Sequence, residues 1–572
     1  MKTLYKYIIL FAAIGLVYQA NAQEKKVWVT GAARGVMYGD DFTNNSENDT
    51  TTIRKTQGGH AMVDLGVNIQ PNENILIKSM VRVRNDYGGF WGSGVTFDVR
   101  QLYIKGIIGG FLRYQLGDID YRYTPYTFYN NTGLVNQFNG PVTSTPFEQV
   151  RYDVFYMDDN TWRQQGGAID FALEFTEVIK EVRFDAFTTR IRPTDFGNQN
   201  DRLYSGFSAV LEQGQFLNLS GQYVNMYDLE GTSNSNILLR NPVMTGGAEF
   251  FYDQEDYKIN AAIETGQSKL EWQNDAAAPV FEDFFYDIQV KGNLKKTGIE
   301  LTAGYRNVGP NYRSAGAQTM QINFNGQPQA YDRYGNAQLT KQISMLDLSR
   351  DASLYNMQIN PVLANYDPRY DNATPYGVAT PNRQGATLKA AYKNPNNIWN
   401  LNAQADLLSD VVGQGTSALK EYNTYVVNGG LEVGNLLEWE ERKLNVNATY
   451  GMQQTSRSGS EEFESVDLST NFTTLSLITT IYKNLEFIAE YRTWQTEGFD
   501  LVAERNTYSQ VIDFTEYSTD YTEAIVGAGI QYNFGEKSVI KGMYQTLDWD
   551  DKAQNTQSYG LDTYTIQFTM KF

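Results

Sequence analysis

Ala61-Met62-Val63-Asp64-Leu65-Gly66-Val67-Asn68-Ile69 is followed, after a short link, by Ile75-Leu76-Ile77-Lys78-Ser79-Met80-Val81-Arg82-Val83-Arg84. In the first stretch the apolar Ala61, Val63, Leu65, Val67 and Ile69 alternate with Met62, Asp64, Gly66 and Asn68. In the second, Ile75, Ile77, Val81 and Val83 alternate with Lys78, Met80, Arg82 and Arg84. A period of two sends successive side chains to opposite faces of a strand, so each segment has one dry face and one wet face. The pattern recurs at Tyr257, Ile259, Ala261 and Ile263, at Ile299, Leu301, Ala303 and Tyr305, and at Trp399, Leu401, Ala403, Ala405 and Leu407. About 22 such segments run along the chain, in a range of roughly 18 to 24, and helical periodicity is almost absent.

The links between segments alternate short and long. Short ones include Gln70 to Asn72, Gly214, Leu294 to Lys295, Lys393 to Asn397, Lys483 to Asn484 and Gly535 to Lys537. Long ones run from Asp41 to Gln57, Ile119 to Asn160, Gly309 to Asn382, Gly498 to Asp520 and Trp549 to Tyr559. Stacked soluble sandwiches have no reason to alternate in this way. A transmembrane antiparallel β-barrel does, because its periplasmic turns are tight and its extracellular loops are free to grow.

At the C-terminus Tyr564, Ile566, Phe568, Met570 and Phe572 alternate with Thr565, Gln567, Thr569 and Lys571, ending on an aromatic residue. These nine residues resemble the closing strand of Gram-negative outer-membrane β-barrels of porin-like style. That resemblance implies that Tyr564, Phe568 and Phe572 are read by the barrel assembly machinery. An even strand number puts both chain ends on the periplasmic side.

Lys2 and Lys6, the apolar run from Tyr7 to Val17 and Ala20-Asn21-Ala22 have the order of a secretory signal peptide. The expected organisation is therefore a signal peptide at 1–22 and a single barrel at 23–572, reaching the outer membrane by way of the periplasm. Removing Lys2 and Lys6 makes the formal net charge of −19 more negative by two. So acidic a chain is a poor partner for nucleic acid, whose phosphates reward lysine and arginine. The mean hydropathy of −0.46 excludes a helical membrane protein and not a barrel, since half of each barrel strand and nearly every loop is polar.

The 40 Tyr and 30 Phe suit a membrane boundary, where Tyr305, Tyr392, Tyr450 and Tyr532 read as girdle residues. Gly246, Gly247, Gly429, Gly430, Gly527 and Gly529 fall inside segments where a wall curves or an inner side chain needs room. Outer-membrane lipid is thus an expected partner.

Zero Cys and a single His, His60, exclude thiol chemistry, disulfides and any two-His metal site. The acidic loops Asp40 to Asp49 and Asp548 to Asp551 lack the spacing of a calcium loop. Neither catalysis nor a cofactor nor a metal is expected.

If the apolar face meets lipid, Arg82, Arg84, Asp98, Arg100, Arg113, Asp170, Glu174, Arg183 and Asp185 face the lumen. Charges of both signs on one wall set a transverse field that selects polar solutes. Two long loops are candidates for contact with a solute. The segment 309–382 holds six of the chain's 14 prolines, contains Tyr312, Arg313, Tyr366 and Arg369, and has a helical stretch expected near 339–356. The segment 119–160 begins with Tyr121, Tyr123 and Tyr126, whose flat rings at a pore mouth suit a polar solute or a glycan. Barrels of this size leave a wide hole that is normally plugged, so these loops are expected to fold into or over it.

The function these residues point to is passive passage of small polar solutes or oligomers through a barrel narrowed by its own loops. TonB-dependent transporters share the strand number but carry an N-terminal plug, whereas here strand alternation begins at Val27. The alternative is a sealed barrel serving as a structural or interaction subunit of a surface, adhesion or secretion assembly, with a surface or periplasmic protein as partner.

Overall fold

The computed structural model describes residues 26–44, 55–87, 95–129, 140–142, 164–214, 216–318, 371–439, 442–460, 464–506, 511–553 and 557–572. The proposed signal peptide, Tyr366, Arg369 and the helical stretch expected near 339–356 lie outside them. The described residues form 22 strands and one short helix, α1 (Val433–Leu436). The first half of the wall is β1 (Val27–Asn44), β2 (Lys55–Asn72), β3 (Ile75–Asp86), β4 (Val95–Ile108), β5 (Leu112–Ile119), β6 (Gln164–Glu174), β7 (Glu181–Arg192), β8 (Arg202–Glu212), β9 (Leu217–Asp228), β10 (Leu238–Asp253) and β11 (Tyr257–Gln273). The second is β12 (Phe281–Leu294), β13 (Ile299–Val308), β14 (Arg383–Lys393), β15 (Trp399–Ser409), β16 (Glu421–Glu432), β17 (Leu444–Arg457), β18 (Val466–Tyr482), β19 (Leu485–Arg505), β20 (Val511–Gly535), β21 (Ser538–Asp551) and β22 (Gln557–Lys571).

Every strand pairs antiparallel with its neighbours in sequence, and β1 also pairs with β22, from Ala32↔Lys571 to Asn44↔Tyr559. The sheet closes on itself, leaving no edge and no unpaired row of backbone donors, which is what hydrocarbon requires. Strand spacing of ~4.8 Å and a tilt of ~35–45° give 22 strands a diameter of roughly 40–47 Å at the backbone. The chain is a closed antiparallel barrel of the outer-membrane type.

The two faces are opposite in character. Val63, Leu65 and Ile69 on β2, Leu116 on β5, Leu301 on β13, Leu388 on β14 and Ile530 on β20 are exposed on the outer face. Met62, Asp64 and Asn68, between those of β2, are buried on the inner one. Large exposed aromatics ring the outside near the short turns: Tyr392 packs on Trp399 at 4.3 Å, Tyr532 on Phe534 at 4.9 Å and Tyr252 on Tyr257 at 6.0 Å. The seam uses glycine: a Cβ at Gly39 would lie 2.2 Å from the Tyr564 ring and one at Gly31 2.7 Å from the Phe572 ring, so both closing aromatics lie flat on β1.

Three expected long loops are shorter than the sequence suggests. β1 and β2 extend to Asn44 and Lys55, β19 and β20 to Arg505 and Val511, and β21 and β22 to Asp551 and Gln557. The reason is visible on β19. Beyond Gly498 its ladder with β20 continues through Phe499↔Ser518, Asp500↔Tyr517 and Leu501↔Glu516 to Arg505↔Val511, with the polar Ser518 and Glu516 facing Phe499 and Leu501. The hairpin keeps its ladder after leaving the apolar layer, where alternation of hydrophobicity no longer marks a strand. The connection between β13 and β14 spans 309–382, since β13 ends at Val308 and β14 starts at Arg383.

Candidate functional site

The ladder register puts eight of the nine charged candidates on the inner row, and a bulge turns the ninth, Arg100, to the same side. Asp64, fully buried, pairs across the strands with Arg82, which grips it through Nε to Oδ1 at 2.8 Å and Nη2 to Oδ2 at 2.9 Å. β4 bulges here: Met80 opposes Gln101 while Val81 opposes Val99. The extra residue, Arg100, thereby reaches the same carboxylate, 3.5 Å from Oδ2. Asp98 lies across from Arg82, and Arg84 bonds Asp86 at 2.8 Å. On the next strands Arg113, Asp170 and Asp185 form one cross-strand row, with Arg113 and Asp170 in direct contact. Towards the short turns, Glu174, Glu181 and Glu212 form another row, and Arg183 reaches Glu181 at 2.9 Å and Glu212 at 3.5 Å. Breaking the buried Arg82–Asp64 pair costs about 3–5 kcal/mol, because it strands a buried charge. The half-exposed pairs of β5 to β7 contribute at most about 1 kcal/mol each and act through field rather than stability.

The connection between β5 and β6 turns inward. Thr124 donates to Glu264 of β11 at 2.7 Å and Tyr126 donates to Asp287 of β12 at 2.7 Å. The Tyr126 ring stacks on Phe285 at 3.9 Å, and Phe128 stacks on Phe187 of β7 at 5.0 Å. Tyr204 of β8 donates to the Thr127 carbonyl at 3.0 Å. The start of the β13–β14 connection locks onto this arm. Tyr312 donates to the Tyr126 carbonyl at 2.6 Å, Ser314 donates to the Thr127 carbonyl at 3.1 Å, and the Arg313 N–H donates to Ser268 of β11 at 2.8 Å. Together they bury an apolar cluster on the inside of the wall, against Val224, Met226, Leu270 and Phe285. Burial first, and the facing Asp287 carboxylate second, hold the Tyr126 phenol well above its ordinary pKa.

The same β5–β6 connection touches a second wall. The Val142 N–H donates to Glu490 of β19 at 3.0 Å, and Val142 packs with Ile488 and Met543. A Cβ at Gly527 of β20 would stand 2.7 Å from Val142 Cγ1, so this glycine makes the room. β10 and β20 are ten strands apart in a ring of 22, nearly opposite. Eleven peptide steps from Tyr129 to Gly140 reach at most ~36–40 Å, enough to cross the lumen.

The other end of the β13–β14 connection docks on a third stretch of wall. Asn372 donates to Thr455 of β17 and Asp500 of β19, each at 3.0 Å, and accepts no less support from Arg383, which donates to the Asn372 and Ala373 carbonyls at 3.0 and 2.9 Å. Arg383 also bonds Asp410 at 3.0 Å and lies 3.8 Å over the Tyr422 ring, while Lys420 pairs with Asp500. Desolvation raises the pKa of both Asp371 and Asp410.

Of the expected contact residues, Tyr126, Tyr312 and Arg313 are 1%, 0% and 3% exposed. Tyr121 and Tyr123 pack on Phe187 at 5.3 and 5.5 Å. Tyr126, Tyr312 and Arg313 are thus buried in holding the loops to the wall, while Tyr121 and Tyr123 are half-buried against it. Spacing alone could not reveal this, because an aromatic loop reads the same whether its rings face water or a wall. Glu264, Asp287 and Glu490 escape the sequence for the same reason: their inward direction is legible, their loop partners are not. Among the described residues no three His, Cys, Asp or Glu side chains group as a metal site.

No family model matches the chain, and no curated protein matches it. Solved structures do. OccK8 (OprE) of Pseudomonas aeruginosa is similar with a TM-score of 0.37 at 8% identity, covering 96% of this chain and 99% of that one. OpdL of Pseudomonas aeruginosa gives 0.37 at 8%, covering 96% and 100%, and the usher PapC translocation pore gives 0.34 at 8%, covering 93% and 98%. The likeness extends to the barrel architecture and no further.

Proposed function

We propose that this barrel sits in the outer membrane and conducts small polar solutes, with its own long loops narrowing the lumen. The observation that carries the reading is the β5–β6 connection, docked at Thr124 to Phe128 on one wall and at Val142 on the nearly opposite one. A closed barrel of this circumference has a lumen too wide to discriminate small solutes. Loops held inside by buried aromatics and charge-assisted hydrogen bonds divide that space into narrower passages. The inner charged rows from Asp64 to Arg183 would then act on solutes at close range, where water is restricted and fields are less screened.

Bilayer recording of the purified, inserted protein tests this. Discrete conductance steps are expected, with size well below that of an unobstructed barrel of the same strand number. An inserted protein that never conducts would overturn the channel reading and favour a sealed interaction subunit. Conductance that is unchanged when residues 309–382 are deleted from a still-folded barrel would remove that loop from the constriction.

A further inference from the structure

Nearly opposite the charged strands β3 to β8, the inner face of β14 to β18 has a different chemistry. A cavity of about 530 Å³ opens there. Its wall mixes amide and hydroxyl side chains, including Asn402, Gln404, Thr424, Asn428, Thr449 and Thr474, with small apolar ones such as Ala390, Ala403 and Val426. Four charged side chains line it, the carboxylates Glu300, Asp371 and Asp406 and the single cation Lys389. Asp406 is held in place, accepting from Thr387 at 2.6 Å and from Gln404.

Aromatic surface joins this wall at Phe472 and Trp494. Phe472 of β18 lies across from Gly451 of β17, where a Cβ would come within 2.1 Å of Phe472 Cε1 and Cζ. Only a glycine lets the ring lie down on the ladder. From the neighbouring strand β19, Trp494 runs nearly parallel to it with centroids 5.0 Å apart at 11°, an offset stack that leaves Phe472 half-buried. Phe472 and Trp494 both line the cavity.

We propose that this cleft binds a neutral oligosaccharide, with Phe472 as the platform for a sugar ring. A pyranose has a C–H face that packs on an aromatic plane and a rim of hydroxyls that both donate and accept. The cleft supplies both halves: a ring pinned flat, and around it amides, hydroxyls and an oriented carboxylate. A volume of this size falls within the ~300–1,000 Å³ of small-molecule sites and accommodates one to three sugar units. An anion meets three carboxylates against the one lysine, Lys389, and a purely apolar solute would leave the amides unpaired. The proposal rests on the channel reading, since an open lumen is what brings a solute to Phe472.

Saturation-transfer NMR on the full chain in a sugar-free detergent tests it, with maltotriose, xylotriose and trialanine as probes. Saturation of ring C–H protons is expected for at least one trisaccharide. It should fall at least fivefold in Phe472→Ala and in Gly451→Ala, which displaces the ring without removing it, and survive in Phe472→Tyr. No trisaccharide signal, a signal indifferent to both of the first two substitutions, or a signal for trialanine alone would overturn the proposal. Should Phe472→Ala fail to fold, Gly451→Ala and Phe472→Tyr decide. A protein that conducts yet binds no sugar loses this inference and keeps the channel reading. One that binds sugar yet never conducts keeps the site and loses the channel.

Discussion

Replacing Tyr126 by alanine should release the inward arm while leaving the barrel closed. The ring is 1% exposed, stacks on Phe285 at 3.9 Å, and its hydroxyl donates to Asp287 at 2.7 Å. Truncating a buried aromatic costs about 3–5 kcal/mol, and a hydrogen bond to a charged group is worth about 1.5–3 kcal/mol. These contributions overlap, and Asp287 keeps a second donor in Gln289 at 3.0 Å, so about 4 kcal/mol is a reasonable total. At 1.4 kcal/mol per decade this lowers the arm's docking equilibrium about a thousandfold. Tyr126→Phe keeps the stack and loses the hydroxyl, so its effect should be about 10- to 100-fold. No ladder bond involves Tyr126, and strand amides should keep their protection in both variants. Hydrogen exchange over 120–129 measures the docking directly, and single-channel recording should show larger, noisier steps in Tyr126→Ala. Protection that drops less than tenfold in Tyr126→Ala, or that drops equally in the strands, would refute the reasoning.

Other consequences are as specific. Asp371, buried against Thr374 and Gln453, has its pKa raised above 3.8 chiefly by desolvation. A carboxyl raised in the docked state binds its proton more tightly there, so docking of 371–382 is strongest below the unfolded value and weakens as pH rises through the docked one. Exchange protection of 371–382 should therefore increase as pH is lowered from 7 towards 4, and Asp371→Asn should flatten that dependence. Gly39→Val should strain the seam, because a Cβ there would stand 2.2 Å from the Tyr564 ring; overpacking of this kind costs about 1–3 kcal/mol, read as slower or less complete refolding into the closed barrel. Arg113→Gln leaves Asp170 and Asp185 facing the lumen without that partner, and reversal potentials should shift towards cation preference. That shift should be larger at 0.1 M than at 1 M salt, as the Debye length falls from ~10 to ~3 Å.

The barrel was legible because the alternation at Ala61 to Ile69 and Ile75 to Arg84 reports directly which face meets lipid, and the register then assigns Arg82 and Asp64 to the lumen. What alternation reports is the apolar layer and not the strand. It therefore stops at Gly498, although β19 and β20 keep their ladder from Phe499↔Ser518 to Arg505↔Val511. The loops were harder for a different reason. Their length and proline content marked 309–382 as irregular, but what they touch is set by contacts hundreds of residues away, such as Val142 with Glu490. Tyr126 illustrates the limit: its sequence neighbours suit a solute-facing ring and a wall-facing one equally, and only the inner face of β12 decides between them. The cleft at Phe472 was invisible for the same reason, because it depends on a glycine one strand away.

The proposed channel requires a lumen that is open but narrowed from within. Its most direct test is the single-channel conductance of the full chain beside a variant in which residues 120–142 are replaced by a short glycine-serine linker. The wild-type chain should conduct in small steps and the variant in steps several times larger, both as folded, inserted barrels. Equal conductance in the two, or silence in both, would contradict it.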